Sequence, residues 1–434
     1  MKTTKNYSAI SALIPGVALL FGESGAVAQS PAQSAIGSQA PQQPFTTDWQ
    51  QNQPNEWNVF NLLGDESASA MPQFFRYGPL TLRPHLDYRF LYGNGILANP
   101  GDTQASAVNE LSPGMRIDVG SHWSVDYTPT LDFYSNRKFK DTVNHSIALT
   151  GGEEAGDWRL GFAHNSLFAT TPLIGTGAQT EQQTHATTLT ASHPFSAQIS
   201  GDFLLAQRIS LVSGFEDSYD WSTLDWLNYQ FWPRLSAGIG AGGGYVKNED
   251  RSGIRGAADL DQTYEQLQAR MNWRATQKIS FQISGGLEDR QFKVPGTGDA
   301  MNPIFSATIQ YEPWKKTQIL LTASRAVSTS DYYLAAQTAE ATMVGLNLNQ
   351  QLFKKFTFDA GVAYGRTDFS TTSGTIVAGS NRTDDNLSFN VRLSHPFLKH
   401  GIWAIFYQFN ENTSSLAGYT FTSNQGGFEI SYRY

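Results

Sequence analysis

Three histidines and one serine of this sequence stand close enough together along the chain to suggest a reactive site. His164-Asn165-Ser166 places an imidazole and a hydroxyl two positions apart, with His145 before and His185 after this pair. A serine becomes nucleophilic when a base lies within hydrogen-bond reach and a third group orients that base. Three imidazoles could instead hold a divalent metal.

A third interpretation needs no chemistry, because amphipathic rings are comfortable where water meets an apolar phase. The sequence shows no Asn or Asp that would orient His164 on the same face. We therefore predict neither a catalytic nor a metal site, and we keep the hydrolytic and metal-binding interpretations open as alternatives.

The elements that must position these side chains are long β-strands. In residues 80–92 apolar and polar residues alternate, and the same rhythm runs through residues 123–133, 279–288 and 387–394. A period of two places one set of side chains on each face of a strand. These runs last about 8 to 13 residues, a range that includes the ~9–11 residues that a tilted strand needs to cross a bilayer.

The connections between these runs alternate between short and long. Short connections, such as 193–195 and 313–316, carry aromatic residues, proline and basic residues. Long polar connections cover 248–261, 291–302 and 367–383. Short turns on one side and long loops on the other are typical of transmembrane barrels. We predict an all-β chain: an antiparallel, up-and-down barrel over 77–434, with short periplasmic turns, long extracellular loops and about 18 strands (about 16 to 18 as the range).

This topology places the three histidines on consecutive strands. A fold about the 151–157 turn puts His145 near Phe162 or His164, and a fold about the 168–182 loop puts His164 near His185. His164 shares its face with apolar neighbours, which predicts that all three rings face lipid near the outer leaflet.

The His-x-Ser spacing resembles that of outer-membrane lipid hydrolases, whose reacting groups also face lipid. The Ser-Asn-Gly continuation of that pattern is missing here, since Leu167 and Phe168 follow Ser166. The resemblance keeps lipid hydrolysis only as an alternative.

The N-terminus predicts export. Lys2 and Lys5 precede an apolar stretch over 9–21, and Ala26-Val27-Ala28 offers small residues for a signal peptidase. We predict a signal peptide over 1–28. Residues 29–76 are rich in Gln, Pro, Ser and Ala, which predicts a disordered periplasmic linker, with a short helix or a plug as an open alternative near its end.

The composition excludes several classes of function. The net charge of −8 disfavours nucleic acid as a partner, because a phosphate backbone attracts Lys and Arg. The absence of Cys excludes disulfides and thiolate chemistry. We predict no cofactor.

The inward face of such a barrel would carry mixed charges. By alternation, the candidates for lining a pore are Arg83, Asp87, Arg89, Arg116, Asp118, Asp126, Asp132, Glu288, Arg290, Asp359 and Arg392. Rings of charged side chains can tune which solutes cross a pore, although the same residues could also fill a closed lumen with ion pairs.

The final strand ends on an aromatic residue. Phe428, Ile430, Tyr432 and Tyr434 share one face. This pattern resembles the recognition element that outer-membrane assembly machinery reads, so we predict that these residues form a membrane-insertion signal. An unpaired edge here would invite aggregation, whereas closure onto the first strand removes the edge.

A family resemblance adds to this interpretation. Residues 321–325 (LTASR), 349–352 (NQQL) and 406–434 resemble outer-membrane β-barrel porins associated with exopolysaccharide export. The resemblance covers about residues 77–434 and implies a bacterial outer-membrane location, with passage of polysaccharide or other polar solutes.

From the sequence we therefore predict a porin-like channel and no enzyme. The alternatives are a lipid hydrolase that uses the outward His/Ser pair and a plugged structural or adhesive barrel. The expected partners are the lipid bilayer, the assembly machinery and a polar solute or polysaccharide.

The predicted signal peptide can be tested on protein from the outer-membrane fraction. N-terminal sequencing should give Gln29 as the first residue, and Ala28→Arg should leave the precursor uncut because the peptidase needs a small residue there. A mature protein that still begins at Met1 would contradict the prediction.

Overall fold

A computed structural model describes residues 75–99, 101–173, 178–250, 261–293, 300–329, 338–353, 355–370 and 382–434. The predicted signal peptide and nearly all of the predicted linker lie outside the described residues. Nearly everything described is β-strand. Within these ranges no helix is long and apolar enough to span a membrane.

Nineteen strands follow one another along the chain. They are β1 (Arg76–Tyr77), β2 (Leu80–Asn99), β3 (Asp102–Val119), β4 (Trp123–Tyr134), β5 (Thr142–Ala155), β6 (Trp158–Leu173), β7 (Ala178–Pro194), β8 (Ile199–Val212), β9 (Glu216–Trp232), β10 (Leu235–Asp250), β11 (Gln262–Trp273), β12 (Ile279–Phe292), β13 (Ala300–Trp314), β14 (Thr317–Thr329), β15 (Thr338–Leu352), β16 (Phe356–Ser370), β17 (Arg382–Phe397), β18 (Gly401–Ser414) and β19 (Phe421–Arg433). A 3-10 turn, Ala417–Tyr419, precedes β19.

The sheet closes on itself. Each strand from β2 to β19 pairs antiparallel with its neighbours in sequence, and β19 pairs back onto β2, with Phe428 opposite Phe90 and Ile430 opposite Tyr88. The two-residue β1 only forms a small hairpin with β2. The result is a closed, antiparallel barrel of 18 strands, which confirms the predicted fold class and strand number.

The two faces of the barrel differ in polarity. Ile239 and Leu267 point outward and are 65% and 67% exposed, whereas inward Gln262 is 1% exposed. Outward apolar side chains recur on every long strand, and inward side chains are mostly polar and packed among themselves. Because hydrocarbon offers no hydrogen bonds, a closed sheet is the one strand arrangement that pairs every backbone group inside a membrane.

Several strands run further toward the outer side than the sequence predicts. β10 continues to Asp250 and β17 begins at Arg382, both inside segments predicted as long loops, and β6 reaches Leu173. The connections 100–101, 174–177 and 213–215 are therefore short, although long outer loops are predicted. Above the lipid both faces meet water, so no alternation in polarity marks the strand there.

One group of apolar side chains lies inside the outer mouth of the barrel. Leu91 and Val108 pack with Ile96 and with Phe139 from the connection between β4 and β5. The pairing of β2 with β3 shifts register between Gly93 and Ile96. β2 stays paired with β3 as far as Asn99, and it also contacts β6 and β7.

The seam between β19 and β2 has little room for side chains. A methyl group on Gly427 would lie 1.9 Å from the carbonyl oxygen of Phe90, whereas one on Gly426 would meet nothing closer than 3.5 Å. We expect Gly427→Ala to destabilise the folded barrel by about 1–3 kcal/mol and Gly426→Ala to leave it nearly unchanged. Heat-modifiable migration and denaturant titration would measure both, and equal stability of the two variants would contradict the close seam.

Candidate functional site

The eleven residues predicted to line a pore all lie on the inward face. They belong to β2, β3, β4, β12, β16 and β17, and each alternates with exposed apolar neighbours such as Leu86, Val119 and Leu287. Their place on the wall follows from this alternation. That they control a conducting path stays a prediction.

Inward arginines face carboxylates. Arg83 lies 2.6 Å from Asp118, which also accepts from Arg116 at 2.8 Å. Further pairs are Arg89–Glu110 at 3.5 Å, Arg290–Glu288 at 2.8 Å, Arg392–Asp359 at 3.9 Å, and Arg392–Glu429, Arg270–Asp202 and Arg382–Asp384 at contact distance. Charges held in pairs give the wall polarity without a large net field of one sign.

A histidine near the periplasmic end joins two inward acids. His85 Nε2 lies 3.2 Å from Asp126, and Nδ1 lies 3.5 Å from Asp87. Arg433 of the last strand approaches Asp87 to 3.5 Å, so this cluster also ties the two ends of the barrel together. A side chain on Gly114 would collide with the His85 ring, which explains the glycine.

Two aromatic rings lie flat against glycines of β10. Methyl groups on Gly240 and Gly244 would fall 2.6 Å and 2.4 Å from the rings of Trp226 and Tyr264. The guanidinium of Arg270 lies 4.4 Å above the Trp226 ring. These stacks fix arginines on the wall and leave little free ring surface.

One sector of the wall is uncharged. Above the Glu154–Arg159 pair at the periplasmic end, the inward positions of β5, β6 and β7 carry hydroxyls, amides and small apolar residues. Its polar members include Asn144, Ser146, Thr150, Asn165, Thr184, Thr188 and Thr190. We call this sector the hydroxyl strip.

Several inward residues are absent from the sequence prediction. They are His85, Glu110, Asp202, Arg270, Arg382, Asp384, Glu429 and Arg433. Six of them lie on predicted strands, where alternation places them on the inward face. Arg382 and Asp384 fall in or beside a predicted loop, where no alternation marks a strand.

At the outer rim, Asp261 joins two connections of the barrel. Lys293 Nζ donates to its carboxylate at 2.9 Å, and Tyr245 also donates to it. Burial alone would raise the pKa of Asp261, but the hydrogen bonds from Tyr245, Lys293 and the backbone N–H of Asn248 outweigh that effect and hold the pKa below its usual value.

The outward histidines and Ser166 form a hydrogen-bonded chain. His164 Nε2 lies 2.9 Å from Ser166 Oγ, and His185 Nδ1 lies 2.8 Å from the same oxygen. On its other side, His164 Nδ1 lies 2.9 Å from Thr187 Oγ1. We call Thr187, His164, Ser166 and His185 the outward cluster.

The predicted position of His145 is wrong. The turn between β5 and β6 is centred on Gly156-Asp157, closer to β6 than assumed, so His145 pairs with Phe168 and not with Phe162 or His164. Tyr127 takes its hydrogen bond at 3.0 Å. Only two imidazoles therefore meet, and no group of three metal-binding side chains occurs in the described part of the chain.

The orienting group of His164 is a threonine on the neighbouring strand. Thr187 lies directly opposite His164 in the β6–β7 ladder, and His185 lies opposite Ser166. Asn and Asp are the orienting groups expected from the sequence, and the sequence does not reveal the register that brings Thr187 into reach.

On the final strand, Phe428 and Ile430 are each 40% exposed and Tyr434 is 38% exposed, on the outward face. The Tyr88 and Phe90 rings of β2 lie 6.0 Å and 5.7 Å from the Phe428 ring. The aromatic row therefore continues across the closing seam. Its role as an insertion signal stays a prediction.

A closed sheet with an apolar outer band and a polar interior defines a transmembrane β-barrel of the bacterial outer membrane. A comparison of the amino-acid sequence with known families supports the same assignment. Residues 218–431, from β9 to the last strand, match the family described as "Putative outer membrane beta-barrel porin, MtrB/PioB". This match confirms the predicted resemblance to outer-membrane β-barrel porins over these residues. The family description does not mention exopolysaccharide.

Solved barrels resemble the chain only distantly. OccAB3 of Acinetobacter baumannii shares 9% identity at a TM-score of 0.44, covering 81% of this chain and 99% of that one. OpdL of Pseudomonas aeruginosa shares 13% at 0.41, covering 81% and 98%. The siderophore receptor PirA of Pseudomonas aeruginosa shares 8% at 0.43, covering 81% and 80%. No curated protein matches the sequence.

The buried Arg290–Glu288 pair offers a test of the inward network. Arg290 also donates to Gln262 at 3.0 Å, and both charged side chains are nearly inaccessible. We expect Arg290→Met to cost about 3–5 kcal/mol of unfolding free energy, because it leaves a buried carboxylate unpaired. The double variant Arg290→Met/Glu288→Leu should regain much of that loss. Additive losses in a denaturant titration would show that the pair is not coupled.

Proposed function

We propose that this outer-membrane barrel is a passive channel for polar solutes and has no catalytic role in their passage. The observation that carries the proposal is the contrast between its faces: an apolar exterior and an inward wall of paired charges, amides and hydroxyls. A barrel of 18 strands is of the size that encloses an aqueous channel. A wall of this kind offers hydrogen bonds that replace those a solute loses from water.

Within that class, we propose that hydroxyl-rich glycan chains are among the solutes, and that exopolysaccharide is the natural one. The hydroxyl strip supports this idea, because uncharged donors and acceptors can exchange partners with sugar hydroxyls without strong binding at any point. The sequence resemblance to porins of exopolysaccharide export supports it as well.

The aromatic row at the chain end bears on the route to the membrane. We propose that Phe428, Ile430, Tyr432 and Tyr434 are read by the outer-membrane assembly machinery before the barrel closes. Their exposure along one face of β19 would offer that machinery an edge with regularly spaced rings.

Planar-bilayer recordings test the channel. The purified mature protein should give discrete conductance steps. Thr188→Trp, on the inward face, should lower the unitary conductance by roughly 10–30% because its ring narrows the hydroxyl strip. The matched control is Leu189→Trp, one residue away on the outward face, which should leave the conductance unchanged. A protein that inserts but gives no steps would favour the plugged or adhesive alternative.

A second measurement addresses the solute. Neutral dextran oligomers should block the open channel transiently, and the block should weaken in Thr188→Trp. If dextrans leave the current unchanged while small ions pass, the channel stands and the glycan proposal fails.

A further inference from the structure

The outward cluster has the geometry of an activated serine. Ser166 Oγ lies within hydrogen-bond distance of His164 Nε2, at 2.9 Å, and Thr187 Oγ1 lies at the same distance from the other ring nitrogen of His164. Nucleophile, base and orienting group thus lie in series, which is the arrangement that makes a hydroxyl reactive.

One assignment of protons satisfies every bond in the cluster. His164 donates from Nδ1 to Thr187 Oγ1, which leaves Nε2 free to accept the Ser166 hydroxyl proton. His185 Nδ1, at 2.8 Å from Ser166 Oγ, then donates to that oxygen. In this arrangement His164 is the neutral tautomer with its proton on Nδ1, which is the form that a general base needs, and Thr187 accepts the hydrogen bond from that proton.

The cluster faces lipid. It lies among outward side chains, with Phe162 and Phe168 on the same face of β6. Ser166 stands about eight residues above Trp158 at the periplasmic turn, or roughly 20 Å along the membrane normal for a strand tilted by ~40°. If Trp158 marks the inner edge of an apolar band about 25 Å tall, Ser166 lies roughly 5 Å below its outer edge, close to the outer-leaflet ester groups.

Access to Ser166 passes by His185. The serine is 7% exposed, and His185 stacks near His164, with 6.4 Å between the ring centroids. An incoming carbonyl oxygen can take the N–H of His185 in place of Ser166 Oγ. The donor that covers the resting hydroxyl then stabilises the oxyanion that forms when Oγ attacks.

We propose that the outward cluster is an acyl-hydrolase site for carboxylic esters of outer-leaflet lipids, with Ser166 as nucleophile and His164 as general base. This activity is separate from solute passage, because the cluster lies on the opposite face of the wall from the lumen.

The reaction balances with water as co-substrate. The Ser166 proton passes to His164 Nε2 as Oγ bonds to the carbonyl carbon. The ester C–O bond then breaks, and the departing alcohol takes that proton. Water adds to the acyl-serine with His164 again as base, which releases a fatty acid and restores Ser166. The net change is ester plus water to acid plus alcohol.

The four residues have different roles. Ser166 and His164 are catalytic, His185 donates to the oxyanion, and Thr187 is a positioning residue that acts through His164. A threonine in this place accepts one hydrogen bond but carries no charge, so the base is oriented without the electrostatic support of a carboxylate.

The test uses the full mature protein, made in a host that lacks its own outer-membrane phospholipase. A long-chain fluorophosphonate probe should modify Ser166, as read from the mass of its peptide. Fatty-acid release is followed from phospholipid vesicles and, in a second arm, from lipopolysaccharide. Release in either arm supports the site, and the arm that responds identifies the lipid.

The variants separate catalysis from folding. Ser166→Ala should abolish labelling and release, His164→Ala should lower release by about 10²-fold or more, and Thr187→Val by about tenfold, with Thr187→Ser restoring it. The matched control is Ser280→Ala, on the inward face of β12 and outside both the outward cluster and the hydroxyl strip. It should keep wild-type rates.

Heat-modifiable migration confirms that each variant is folded. Two outcomes would overturn the proposal: a folded wild-type protein that takes no label and releases no fatty acid, or a folded Ser166→Ala variant that is as active as the wild type. Conductance is recorded on the same samples, so failure here leaves the channel proposal intact.

Discussion

The structure depends on the requirement that every backbone N–H and C=O be paired where water cannot reach. A sheet meets this requirement only when it has no free edge, so the pairing of β19 with β2 completes the molecule. The glycines at that seam follow from the same requirement, because the strands must approach closely enough to exchange hydrogen bonds all along it. In the closed barrel, apolar side chains face the lipid and polar side chains face the interior.

Inside the barrel, polar side chains also need partners. Charges on the wall are held in pairs or stacked on rings, as with Arg270 between Asp202 and Trp226. A guanidinium held by a carboxylate and by the face of an aromatic ring keeps its position on the wall and does not extend across the lumen. The charged part of the wall is therefore both polar and held in place. The remaining sector of the wall, on β5–β7, is uncharged.

The outward cluster departs from this arrangement, because it places polar side chains on the lipid-facing surface. A base and a hydroxyl in the apolar band would cost free energy if they stood alone, because lipid cannot satisfy them. Here His164 bonds to Thr187 and Ser166 bonds to His185 across the β6–β7 ladder, and His164 and Ser166 bond to each other along β6. Such polar groups on a lipid-facing surface are uncommon, which makes their alignment in one chain of hydrogen bonds the feature that best motivates a chemical role.

The barrel could be predicted from the residues alone, since a two-residue rhythm such as that of residues 80–92 gives each strand one apolar and one polar face, and only a closed sheet accommodates both within lipid. The sequence also indicated the wall: Arg83 and Asp118 are inward because their neighbours Leu82 and Val119 are outward. The register between strands became known only from the folded barrel. This register places Thr187 beside His164 and pairs His145 with Phe168. The structure also extends β6 and β10 beyond their predicted outer ends. Periodicity carries no information on where a turn is centred, and a shift of one or two residues there changes every cross-strand contact.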